Sequence, residues 1–209
     1  MVDTRSQLLL ISRSDIWGPN NSYNFTTDIR VEKYPTDDYG LGTQTTERDD
    51  RNLVYNYIRV YGTYFKRLQG SYYLGLGYNY DYHYRISETY NPQAGNQDFA
   101  RYGSPASTTS SGAVLNFLFD NRKNSINPLN GGYVSVIYRQ NATFLGSDAG
   151  WRSLLIDLRK YIRPNEDSNN ILGFWSMIWL SSAGTPYLDL PATGQDTYCL
   201  LYTSDAADE

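Results

Sequence analysis

From Tyr72 to Ile86 the chain alternates between two kinds of residue without a break. One set is Tyr72, Leu74, Leu76, Tyr78, Tyr80, Tyr82, Tyr84 and Ile86; the other is Tyr73, Gly75, Gly77, Asn79, Asp81, His83 and Arg85. A period of two is the signature of a strand, because successive side chains point to opposite faces of a sheet. A half-buried strand in a soluble protein alternates as well, but usually for only about five or six residues. A strand that crosses a bilayer needs about 9–11 residues and can project beyond it. The unbroken length of this run therefore favours a long strand with one aromatic, lipid-compatible face and one polar face.

The pattern recurs. Ala113, Leu115, Phe117 and Phe119 alternate with Val114, Asn116, Leu118 and Asp120; Val134, Val136 and Tyr138 with Ser135, Ile137 and Arg139; and Leu154, Ile156, Leu158 and Ile162 with Ser153, Asp157 and Arg159. Earlier candidates are Gln7 to Arg13, Tyr23 to Tyr34 and Leu53 to Lys66. Around Leu172 to Leu180 both faces are apolar, so periodicity assigns no register there. Turn-forming clusters separate the runs at 17–21, 35–40, 91–95 with a polar stretch to 112, 127–132 and 164–167, while Gln69-Gly70-Ser71 reads as a tight turn. The expectation is an all-β antiparallel meander of about eight strands with no helix, short turns at one end and long loops at the other.

Composition fits this picture. Tyr (21), Phe (7) and Trp (4) make the chain 15% aromatic against 19% charged, and the mean hydropathy is −0.56. A polar inward face joined to an aromatic outward one gives negative hydropathy in a chain that still suits a bilayer. No run approaches the ~18 apolar residues of a spanning helix. The basic residues are scattered singly, which argues against a nucleic-acid partner. Met1 to Ser6 has no apolar signal core, so either the chain is cytoplasmic or its start is not the native one.

The last stretch, 199–209, reads as the in-frame translation of a sequencing adaptor, so the expected domain is a partial barrel over 1–198 followed by a non-native tail. Asp205, Asp208 and Glu209 supply three of the four net negative charges, and Cys199 is the single cysteine. Setting the tail aside leaves neither a thiol nucleophile nor a disulfide.

The strand phase makes Asp81, His83, Arg85, Asp157 and Arg159 candidate inward-facing polar residues. Asp81 and His83 form the one acid–imidazole pair available for general-base chemistry; without a second acid constellation the expectation is that the chain is not an enzyme. Gly75 and Gly77 lie on a strand with no helix after them, which suits close backbone approach better than phosphate binding. One histidine and no cysteine outside the tail make a metal centre unexpected, and no cofactor is expected. Asp37-Asp38 and Asp49-Asp50 are acidic loop pairs, read as solvated with calcium as the alternative. Asn20-Asn21-Ser22 and Asn24-Phe25-Thr26 match glycosylation sequons, to which no role is assigned.

Asp120-Asn121-Arg122 closing one strand, Pro128-Leu129-Asn130-Gly131 in the turn and Tyr133 opening the next strand together resemble the strand-turn-strand signature of the bacterial surface antigen family, the BamA/TamA-type outer-membrane barrels. Phe144-Leu145-Gly146-Ser147-Asp148 with Leu155 to Tyr161, Gly184-Thr185-Pro186-Tyr187 with Leu190 to Gly194, Tyr34-Pro35 with Tyr39 to Gly42, and Leu74 to Tyr78 fall in the family's order. Ala192-Thr193-Gly194 stands where the family usually has a Gly-Gly pair, and the Arg-Gly-aromatic loop motif has no counterpart.

The resemblance implies that Asp120, Arg122, Pro128 and Gly131 are structural turn residues. It also implies that the chain is about half of a roughly sixteen-stranded transmembrane β-barrel in the bacterial outer membrane. Such a barrel inserts, assembles or translocates proteins. The implied partners are outer-membrane lipid, nascent outer-membrane proteins or secreted polypeptide substrates, and periplasmic or lipoprotein accessory subunits. The alternatives are a channel-like barrel of the same family without assembly activity and a soluble carbohydrate-binding β-sandwich.

Overall fold

The structure, a computed structural model, describes residues 8–42, 51–89, 97–124, 126–165 and 170–192. These residues form one eight-stranded sheet: β1 (Leu8–Trp17), β2 (Tyr23–Asp38), β3 (Arg51–Gln69), β4 (Tyr72–Thr89), β5 (Ser107–Asp120), β6 (Gly131–Asn141), β7 (Trp151–Ile162) and β8 (Leu172–Ser181). Each strand pairs antiparallel with the next in strict sequence order. The expected all-β meander is therefore present, and β3 and β4 reach 19 and 18 residues, far beyond an ordinary soluble strand. β1 and β8 are both edges, so the described sheet is open and not closed into a barrel. It nevertheless curls, because Leu9 of β1 and Trp179 of β8 line the same trough of about 700 Å³.

Register places one continuous row of apolar and aromatic residues across the convex face. Ile16, Phe25, Tyr64, Leu76, Leu115, Tyr138, Leu154 and Leu180 are successive cross-strand neighbours from β1 to β8. Most stay exposed, with Leu76 at 67%. Monomeric soluble proteins rarely leave an apolar patch of this extent open to water. The concave face is its chemical opposite: Arg30, Arg59, Asp81 and Ser110 form a cross-strand row there.

Several features depart from the sequence reading. Pro35 to Asp38 extend β2 instead of turning, with Pro35 opposite Val54. At the far end of β4 a register shift falls between Val54 and Asn56 of β3, and Arg85 takes φ 54°. This bulge inverts the phase of the strand. Arg85 is exposed and is not an inward-facing residue, while Ile86, expected on the outward face, packs inward against Leu53, Phe99 and Tyr187.

The loop asymmetry holds only in part, since the end carrying the Gly70-Ser71 turn also carries the longer connections 121–130 and 163–171. A short helix, Asp98–Arg101, and three 3-10 turns complete the described elements. Among these residues no helix is long and apolar enough to cross a membrane, which says nothing of strands. The 199–209 tail, Asp49-Asp50 and Thr193-Gly194 lie outside the described residues.

Candidate functional site

The concave face concentrates its charge around Asp81, which is 1% exposed. Its place follows from register alone, since Arg59 of β3 is its direct partner and Ser110 of β5 lies on its other side. Tyr57 donates to Oδ1 at 2.5 Å, Tyr61 to Oδ2 at 2.7 Å and Arg139 Nη1 to Oδ2 at 2.6 Å, while Arg59 Nε stands 3.4 Å from Oδ1. Arg59 Nε also donates to the Tyr57 hydroxyl at 2.6 Å. The guanidinium groups lie over aromatic faces, Arg59 4.4 Å from the Tyr61 centroid and Arg139 5.2 Å from that of Trp151. A buried carboxylate is tolerated at this cost of desolvation only when such donors saturate it.

His83 shares the inward face, but its ring stacks flat on Tyr57 at 4.4 Å and its Nδ1 lies 3.4 Å from the Thr108 hydroxyl. Asp81 spends its oxygens on tyrosine and arginine donors, so the two residues do not form an acid–imidazole dyad.

The segment after β8 folds back over this network. Ser110 Oγ donates to Asp189 Oδ2 at 2.6 Å and receives the Trp151 indole N–H at 3.1 Å. Tyr187 reaches Asp38 of β2, donating at 2.8 Å to both carboxylate oxygens, and its ring packs edge-on against Phe99 and Tyr102. Burial, aided by the negative charge of Asp81, pushes the Asp189 carboxyl up to about 7. Leu188 and Leu190 close the patch formed by Leu53, Phe99 and Tyr187.

A second cluster lies near the turn end of β5, β6 and β7. Arg122 grips Asp120 through Nε at 2.9 Å and Nη2 at 2.8 Å, and Arg159 grips Asp157 likewise at 2.9 and 2.5 Å. The Tyr133 ring lies close to both guanidinium groups, 4.6 Å from Arg122 and 5.3 Å from Arg159, and the Trp175 indole donates to Asp157 at 3.0 Å. Residues i and i+2 of an extended chain point the same way, so Asp-x-Arg is the shortest spacing that closes such a two-pronged pair.

Asp28-Ile29-Arg30 on β2 repeats the device at 2.8 and 2.7 Å. This third pair was readable from the same spacing and went unnoticed in the sequence. Gly131 has φ 120°, and a Cβ there would sit 3.0 Å from Arg122 Cα. Pro128 is half-buried in the turn between β5 and β6, whose neck is closed by Asn121 accepting from the Gly132 N–H at 2.6 Å.

Of the expected inward-facing residues, Asp81 and His83 join the central network and Asp157 and Arg159 the turn-end cluster, whereas Arg85 joins neither. Sequence reasoning missed Tyr57, Arg59, Tyr61, Arg139 and Asp189. The signal for the first three was the inward set of β3, where Arg59 stands between Tyr57 and Tyr61. Among the described residues no group of His, Cys, Asp and Glu could hold a metal ion. No family model, curated protein or solved structure matches this chain.

Proposed function

We propose that the chain is part of a transmembrane β-barrel of the bacterial outer membrane, of the BamA/TamA-type surface antigen family, that takes part in inserting, assembling or translocating proteins there. The observation that carries this reading is the apolar row running unbroken from Ile16 to Leu180 on the convex face of an open meander. The opposite face buries Asp81, Arg139 and Asn141. Lipid outside and water inside is the arrangement in which both faces are satisfied. The Asp120–Arg122 fork and the positive φ of Gly131 support the family resemblance, because they give the signature residues a mechanical role.

No covalent chemistry or cofactor belongs to this reading. The partners would be outer-membrane lipid, nascent outer-membrane proteins or secreted polypeptides, and periplasmic or lipoprotein subunits. Such substrates add by strand pairing at an open sheet edge. The assignment of activity from fold is by analogy.

The test is to reconstitute the chain in lipid vesicles and follow the folding of an added outer-membrane protein from urea. Faster folding than in empty vesicles is the expected result. Unchanged folding accompanied by ion conductance would replace assembly with the channel-like reading, which the trough of about 700 Å³ along the concave face favours. A chain that stays in solution without detergent would return the reading to a soluble glycan-binding sandwich.

A further inference from the structure

The two faces of the sheet treat their cations differently. On the concave face Arg13, Arg30, Arg51, Arg59, Arg139 and Arg159 each lie within 4.0 Å of a carboxylate oxygen. On the convex face the charged strand residues are Lys33, Lys66, Arg152 and Lys160, together with Arg85 turned out at the β4 bulge, and Asp37 is the one acid among the described residues. Lys66 and Lys160 are exposed and make no ion pair or side-chain hydrogen bond among the described residues. Both stand near the turn end of the sheet, Lys66 three residues before β3 ends at Gln69 and Lys160 two before β7 ends at Ile162.

Their neighbours are apolar. Lys66 lies between Tyr23 and Leu74, and Lys160 between Gly132 and Phe174. Gly132 leaves a hollow of about 600 Å³ beside Lys160, walled by Phe119, Leu158 and Phe174. A Cβ on Gly132 would lie 3.9 Å from Lys160 Cδ, so the aliphatic stem of the lysine runs across that floor. A long stem on apolar surface with a free ammonium at its tip is how lysine reaches from hydrocarbon to a headgroup.

We propose that the turn end of the convex face binds the phosphates of anionic phospholipid, with Lys66 and Lys160 as the two contacts and the Gly132 hollow seating lipid beside Lys160. The occupant is a bilayer because the cations border the apolar rows, and its charge is negative because the described residues supply these two lysines no counter-ion. This rests on the membrane reading above and adds the headgroup chemistry to it. Each lysine near an anionic surface strengthens binding about five-fold, so the pair is worth roughly 25-fold, screened by salt.

The test is flotation of the chain with vesicles of phosphatidylcholine alone or mixed equally with phosphatidylglycerol. The expected result is binding to both, tighter to the anionic vesicles. Lys66→Gln with Lys160→Gln should lose about 25-fold on the anionic vesicles and nothing on the neutral ones, and Lys66→Arg with Lys160→Arg should restore the preference. Equal binding of the wild-type chain to both lipids, or a glutamine pair that keeps the preference, overturns the headgroup proposal and leaves the membrane reading intact. Failure to float with either lipid overturns both.

Discussion

Leu76 sits in the middle of the convex apolar row, between Tyr64 of β3 and Leu115 of β5, and is 67% exposed. Leu76→Arg therefore separates lipid from water as the medium on that face. Taking a leucine this exposed out of hydrocarbon loses about 1–2 kcal/mol of its ~1.5–3 kcal/mol transfer energy. An arginine near the bilayer midplane costs ~2–4 kcal/mol more, for a total of roughly 3–6 kcal/mol. In water the same exchange on an exposed strand stays within about 0.5 kcal/mol.

Depth supplies the control. Ser107 faces the same way on β5 and pairs with Tyr84, eight residues along the strand from Leu115. With Lys66 about a side-chain length, ~5 Å, inside the core and Leu76 two residues or ~5 Å deeper, Ser107 lies roughly 20 Å beyond Leu76 at about 3.4 Å per residue and a tilt near 40°, at the opposite boundary of a core of about 30 Å. Ser107→Arg should then cost ~0–1 kcal/mol. Urea unfolding of the vesicle-bound chain, followed by tryptophan fluorescence, measures both variants. Equal and small effects at the two positions would refute a lipid-facing row.

Asp81→Asn should destabilise the folded chain by about 3–5 kcal/mol, since it leaves the buried Arg139 without its 2.6 Å partner; a denaturation midpoint unchanged from wild type would show that the network holds no strain of charge. Gly131→Ala should cost about 1–3 kcal/mol, from a φ of 120° and the 3.0 Å approach to Arg122 Cα, and should speed hydrogen exchange at Gly132 before it affects β3 or β4.

Asp189 gives a pH dependence whose sign is fixed. Its folded pKa of about 7 stands above the ordinary 3.8, so the folded state holds the proton more tightly than the unfolded one. That contribution is full below about pH 4 and is lost as pH rises through about 7, where an ionised Asp189 would face Asp81. Wild-type urea midpoints should fall between pH 5 and pH 8 by more than those of Asp189→Asn; parallel curves would refute the buried placement.

The strands were most legible where alternation is written locally: β4 to β7 appear where apolar and polar residues interleave. What stayed hidden depends on partners distant in sequence. Arg85 looks inward by counting in twos, and only pairing with β3 reveals the extra residue that turns it out. Leu172 to Leu180 is apolar on both faces, and its register emerged from the Trp175 indole reaching Asp157, which sets Trp175, Met177 and Trp179 inward. The Asp81 network joins Tyr57, Tyr61 and Arg139 across four strands, so the sequence offered the charges but not their assembly. Pro35 was read as a turn because proline usually ends a strand, yet β2 continues through it to Asp38, opposite Arg51 of β3.

The central claim is that the convex face meets lipid and the concave face meets water. Nitroxide labels carried one at a time on cysteines from Ala113 to Phe119, in a Cys199→Ser chain bound to vesicles, report this directly through collisions with oxygen, which is concentrated in lipid, and with a water-soluble nickel chelate. The expected result is a period of two, with 113, 115, 117 and 119 favouring oxygen and 114, 116 and 118 favouring the chelate or neither. Equal chelate access on both faces, or no alternation at all, would contradict it.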